Sequence, residues 1–308
     1  MNQGLAGNQG LAGFVMSARW RAVLITVVSA AAALLLPPLA YVGAAVVGLV
    51  TLRLGAIEGF GVLAASALLL IVLGIAQGGM ALPLASSALV LWLPVWLLAL
   101  LLRQTRALVL VLQASALLGA VLVVLGYLWL GDPAAWWAPR LEELLGPLFT
   151  ARDLDATEYI PELARWMTAM TAAALVLGIL ISLLWARAWQ ARLYNPGGFG
   201  AEFRALRLGQ KFALASLAIV AVAQLPMAGL AAVAADIVFT LVVVYLLQGL
   251  ALAHAAVHIT KARRIWLVLL YGLLLFAAPQ LVMLLALLGW LDAWIDVRAR
   301  LGGRGDAG

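Results

Sequence analysis

The chain has 308 residues, of which 66% are hydrophobic and only 10% charged, with a formal net charge of +6 and no cysteine. That usage falls outside the range of soluble globular domains and points to a polytopic membrane protein. The missing cysteine excludes disulfides, thiolate metal sites and cysteine nucleophiles together.

In chain order, the hexapeptide NQGLAG at 2–7 recurs at 8–13, and residues 1–18 read as a flexible leader without a role. Arg19, Trp20 and Arg21 then precede an apolar run over 22–36, the pair Pro37-Pro38, and a second apolar run over 39–52. Because another apolar segment follows at once, this reads as an uncleaved anchor rather than a signal peptide. The double proline stops or kinks the helix, and a hairpin of two short helices is preferred to one bent span because it puts Arg19, Arg21 and Arg53 on one side. Further apolar runs cover 57–76, 81–102, 107–130, 164–186, 212–233, 235–257 and 266–290. A crossing takes ~20 helical residues, and the runs lack the alternation of a membrane barrel. The expected fold class is an all-α polytopic bundle of eight to ten transmembrane helices, nine with the hairpin as two and one more if Pro279 splits the last run. Residues 19–291 read as one transmembrane domain with an outer loop at 131–163, a cytoplasmic loop at 187–211 and a polar tail at 292–308.

The loops set the orientation. Arg187, Arg192, Arg204, Arg207 and Lys211 face the single acid Glu202 in one loop, and Arg103/Arg106 and Lys261/Arg263/Arg264 mark two more basic turns. Cytoplasmic loops carry this excess, which predicts a bacterial cytoplasmic membrane protein with its N-terminus inside. The 131–165 segment carries Asp132, Glu142, Glu143, Asp153, Asp155, Glu158 and Glu162 against three arginines and is assigned outside, with its 140–162 part as an amphipathic interfacial helix. Nine spans would put the tail, with Arg298, Arg300 and Arg304, on the wrong side for the same rule; a split at Pro279 would return it.

Polar clusters are few. Tyr194-Asn195-Pro196-Gly197-Gly198-Phe199-Gly200 is a turn signal in the largest cytoplasmic loop, where Pro presets φ and Gly admits positive φ. With Arg204 and Arg207 it reads either as a backbone-amide cradle for an anion, lipid headgroup or partner protein, or as a tight turn with snorkelling arginines. No Gly-Lys-Ser/Thr follows, so it is no nucleotide loop. His254 and His258 share a helical face with Lys261 below Gln248. A metal would need further ligands that this chain does not offer, so the pair reads as a polar mouth or as histidines bonded to neighbouring helices. Gln113, Gln224 beside Pro226, and the aromatic pair Trp92/Trp96 around Pro94 are the candidate lining of a small-solute cavity, since Pro226 frees the carbonyl of Val222. Asp236 falls near an outer helix end. No catalytic constellation appears, so no enzyme activity, cofactor, metal or nucleic-acid partner is expected.

Four stretches carry a resemblance: Arg19-Trp20-Arg21 before the proline-broken hairpin, LVTLRLGAIEGFGVL at 49–63, ARAWQARLYNPGGFGAEFRALRLG at 186–209, and LQGLALAHAAV at 247–257 with the terminal LLGWLDAWIDVRARLG. Together they resemble the YybS-like family of bacterial polytopic membrane proteins. The layout is loosely similar to the substrate-binding subunits of energy-coupling-factor transporters, which implies a small-molecule pocket and docking on a partner through small-residue faces such as Ser29–Ala33. Two functions are expected on these grounds. One is a small-solute binding or transport component without its own ATPase; the other is a scaffold that recruits a cytoplasmic partner or anionic lipid through the glycine-rich loop.

Overall fold

The computed structural model describes residues 10–76, 82–152 and 155–302, and every regular element among them is a helix. The first half comprises α1 (Gly10–Met16), α2 (Arg19–Ala32), a 3-10 turn at Pro37–Leu39, α3 (Ala40–Leu54), α4 (Ala56–Ala76), α5 (Leu82–Thr105), α6 (Leu108–Leu130) and α7 (Pro133–Ala151). After these come α8 (Ala156–Tyr194), α9 (Gly198–Arg204), α10 (Gln210–Val222), α11 (Ala228–Ile259), α12 (Ile265–Phe276), α13 (Ala278–Ile295) and α14 (Val297–Gly302). Seven stretches among the described residues are long and apolar enough to cross a membrane: 37–54, 56–76, 83–105, 108–130, 156–194, 229–259 and 278–295. The chain is thus an all-α polytopic bundle, with shorter apolar helices beside those seven. The large apolar side chains left exposed along them, such as Leu35, Leu128 and Trp129, face the lipid bilayer.

Several sequence expectations meet a different local outcome. Residues 10–16 form a helix rather than a loose leader, because Ala12 and Val15 find cover; residues 1–9 of the repeat, Gln77, Asp153 and Arg304 lie outside the described residues. The outer 131–163 segment is mostly helix: Asp132 caps α7 by accepting the Ala135 N–H at 3.2 Å, with Pro133 in the first turn. The run at 212–233 is no single span. Pro226 has no N–H to offer, and the Val222 carbonyl instead accepts Leu225 N–H at 3.1 Å, which closes α10 in a turn before α11 begins. The run at 266–290 breaks at Ala277, with Pro279 in the first turn of α13.

Cα packing divides the chain into two compact units: Met1–Leu112 with Gly178–Ala205, and Gln113–Leu177 with Leu206–Gly308. In the first, α2 and α3 form the hairpin around the proline turn, and Arg19 donates to Glu58 at 2.5 Å, beside the start of α4. The stretch Ala44–Val50 of α3 is buried on every side among α2, α4 and α5, and Ser29 and Ala30 of the proposed docking face are buried with it. Small residues permit this closeness where lipid supplies no hydrophobic drive between helices.

In the second unit α13 lies antiparallel against α11. A Cβ on Gly249 would overlap the Leu285 carbonyl, and one on Gly289 would overlap that of Tyr245, so the two backbones touch. Gln248, fully buried, donates to Gly289 O at 2.7 Å and accepts from Leu208 N–H at 2.9 Å, while Gln113 donates to Leu208 O at 3.0 Å. The two glutamines therefore satisfy both sides of the Leu208 backbone, which a buried irregular segment requires. Next to them, Arg207 donates to Asp296 at 2.6 Å and to the Asp292 carbonyl at 3.1 Å, and Arg298 donates to Leu206 O at 2.7 Å and lies 3.4 Å from the Asp292 carboxylate. Residues 292–298 and 206–208 thus share one end of this unit, which removes the charge conflict that nine alternating spans would create.

Asp296, beyond the apolar part of α13, has its carboxyl held below the usual carboxylate range, first by the Ala299 N–H and then by Arg207. With the folded value depressed, its contribution to stability is complete above the unfolded value and is lost as pH falls through the folded one. Thermal unfolding between roughly pH 5 and 2 should show an acid-side loss, part of which disappears in Asp296→Asn; equal profiles for both proteins would contradict the assignment.

Candidate anion-binding cavity

Three helices of the first unit end together. α3 closes with Leu52 and Arg53, α5 with Leu102 and Arg103 just before Arg106, and α8 with Arg187, Gln190 and Tyr194. A helix C-terminus leaves carbonyls without intrahelical partners and carries partial negative charge, so cationic donors collect there. Arg103 Nη1 donates to Leu52 O at 2.8 Å and Gln190 Nε2 donates to the same oxygen at 3.3 Å. Arg53 lies over the Tyr194 ring, 4.0 Å from its centroid, in a cation–π contact.

Arg187 is fixed differently. Its Nε donates to Glu202 Oε2 at 2.9 Å and its Nη2 to Glu202 Oε1, a two-pronged pair that folds α9 back onto α8. The turn between them is Asn195–Gly198. Gly197 adopts φ 85°, and Gly198 has no room for a Cβ against the Asn195 side chain, which explains both glycines. Phe199 and Phe203 stack at 5.9 Å on α9.

Between these ends opens a cavity of about 560 Å³, within the ordinary size of small-molecule sites. Arg53, Arg103, Arg106 and Arg187 line it against the one carboxylate of Glu202, with Tyr194 and Asn195 at its edge. Arg106 sits in the left-handed region at φ 54°, rare for a side chain without special reason, and it makes no side-chain hydrogen bond or ion pair among the described residues. Glu202 is spent on Arg187, and Arg103 on carbonyls. Positive charge therefore remains for an oxyanion, with Gln190 and Asn195 amides beside it.

The sequence-predicted residues distribute unevenly around this basin. Tyr194 and Asn195 line it, Pro196, Gly197, Gly198, Phe199 and Gly200 shape the turn behind it, and Arg204 ends α9. Arg207 belongs to the second unit, tied to Asp296, so it does not join Arg204 in an anion cradle. Trp92, 1% exposed, is core packing, and Trp96 donates to Ala56 O at 3.1 Å with its ring on Phe60. Gln113 and Gln248 clamp Leu208 instead of lining a cavity, and Gln224 is exposed in the turn after α10. His254 meets the Tyr271 hydroxyl at 2.9 Å and His258 is exposed. No group of three or more His, Cys, Asp or Glu side chains among the described residues is placed to hold a metal. The arginines that matter were visible only as topology markers.

A family model described as a predicted membrane protein family, DUF2232, matches residues 150–293, from the end of α7 nearly to the end of α13. Over this stretch the chain is similar to a family of membrane proteins. The matched part takes in the Asn195–Gly198 turn, Arg187, Glu202 and the Gln248 clamp, while Arg53, Arg103 and Arg106 precede it. Neither the curated proteins nor the solved structures gave a match.

Proposed function

We propose that this multi-pass membrane protein is a non-catalytic binding component for a small oxyanion, with the basic cavity as its site. The observation that carries the reading is the convergence of four arginines against one carboxylate in a single concave space. A phosphate or carboxylate group there would be met by two guanidiniums, those of Arg53 and Arg106, that no carboxylate of the protein neutralises. The source of that group is a free solute or an anionic lipid headgroup. On this reading the basic helix ends and the N-terminus face the cytoplasm of a bacterial cell, in keeping with the positive-inside rule. The resemblance to YybS-like proteins and, more loosely, to energy-coupling-factor substrate-binding subunits supports a transport role without an ATPase of its own.

The test is native mass spectrometry of protein released from lipid particles, comparing the wild type with Arg53→Gln/Arg106→Gln. A phosphate- or carboxylate-bearing species bound at unit stoichiometry in the wild type and lost in the variant is the expected result. An identical spectrum for both would contradict the assignment, and a protein partner retained by the wild type with no bound anion would favour the scaffold reading.

A further inference from the structure

The second unit holds a smaller cavity of opposite character, about 230 Å³, where the end of α6, the start of α7, and α8 meet α11. Its most unusual group is Asp236, only 4% exposed although it lies in an apolar helix. An ionisable side chain in such a helix is costly and marks a functional position by default. Asp236 Oδ2 accepts one hydrogen bond, from the Tyr127 hydroxyl at 3.1 Å, and no other hydrogen bond or ion pair reaches the carboxyl group among the described residues. A buried carboxylate with one neutral donor is poorly compensated, so its surroundings favour a counter-ion.

Those surroundings select what kind. Ala232 and Ala235, four and one residues before Asp236, keep the α11 face small and leave space beside the carboxylate. Trp166 supplies an aromatic wall that is already fixed, its ring 5.5 Å from Phe239 and its Nε1 donating to Glu162 at 2.8 Å. The one cation in the lining, Arg165, is paired with Glu162 at 3.0 Å, while Asp132 adds a second carboxylate. The local charge is therefore negative. A bare divalent cation would want six or more oxygen ligands, and one oxygen of Asp132 is engaged by the Ala135 N–H. An ammonium group carrying carbon instead uses both features present, a carboxylate for its charge and aromatic faces for its methylenes or methyls.

We propose that Tyr127, Trp166 and Asp236 form a binding site for a small organic ammonium ion, with Asp236 as its counter-ion. The site is distinct from the arginine cavity and takes ligands of the opposite charge. The ammonium group has two possible sources, a free amine and an amine-bearing lipid headgroup, and both are the same chemistry at Asp236.

The experiment is calorimetric titration of ethanolamine into the protein in particles of phosphatidylglycerol alone, at mildly alkaline pH. Saturable binding at one site is expected, weakened at least tenfold by Asp236→Asn and severalfold by Trp166→Leu. Repeating the titration in particles containing phosphatidylethanolamine separates the sources: a reduced apparent affinity marks the headgroup as occupant, and an unchanged one marks the free amine. If Asp236→Asn fails to fold, Ala235→Leu, which fills the space beside the carboxylate, takes its place and should abolish binding. Absence of saturable binding, or equal affinity in the wild type and in the folded variants, overturns the proposal.

Discussion

Gly249→Val is expected to cost on the order of 3–5 kcal/mol or to abolish the fold. The added side chain would overlap the Leu285 carbonyl, which is helix backbone and has no rotamer to yield. α13 would have to back away from α11, which uncovers Leu285, Ala286 and Ala293 and breaks the Gln248 bond to Gly289. In a membrane this loss falls on packing, because lipid is as apolar as the uncovered surface and a close helix pair is held by contact and hydrogen bonds. Gly272→Val is the control, since a Cβ there meets nothing within 4 Å. Thermal unfolding followed by size-exclusion chromatography should separate the two variants clearly. If both melt with the wild type, the backbone contact between α11 and α13 is not as described.

Asp292→Ala should be the second large loss. The carboxylate is 0% exposed and lies 3.4 Å from Arg298 and 3.9 Å from Arg207, with Gln248 Nε2 also at 3.4 Å. Arg207 keeps Asp296, but Arg298, whose side chain is only 11% exposed, would be left buried with the Leu206 carbonyl as its remaining acceptor. Removing one partner of such a pair costs about 3–5 kcal/mol, whereas replacing the whole pair with apolar groups is often close to neutral. The double variant Asp292→Leu/Arg298→Leu should therefore recover most of what Asp292→Ala loses, as read from unfolding midpoints in a mutant cycle. A double variant as unstable as the sum of two singles would show that the charges act independently.

These two contacts also show where sequence reading reaches its limit. The apolar runs announce helices because a crossing needs an uninterrupted stretch, and 57–76, 107–130 and 235–257 reappear inside α4, α6 and α11. The proline pair at 37–38 announces its hairpin for an equally local reason. Pro226 did not announce a chain reversal, since the same residue inside an apolar run fits a kinked span; the outcome depends on Leu225 N–H taking the Val222 carbonyl. Gln113 and Gln248 were marked as polar and buried, but the backbone of Leu208 as their common partner is a tertiary fact. Arg207 and Asp296 are 89 positions apart, and each alone reads as a solvated charge. The cavity arginines were read one turn at a time as orientation signals. What could have joined them is that basic turns on one membrane face, on helices that pack together, have to converge.

The arginine cavity is tested most directly by titrating inorganic phosphate into the purified protein in lipid particles of zwitterionic composition. The wild type should bind at one site, and Arg53→Gln/Arg106→Gln should lose at least tenfold in affinity, since each charge-assisted hydrogen bond contributes about 1.5–3 kcal/mol and 1.4 kcal/mol is a factor of ten. The same variant should keep the wild-type unfolding temperature, because neither Arg53 nor Arg106 is in an ion pair among the described residues. Phosphate binding of equal strength in the folded variant, or none in the wild type, would contradict the anion site.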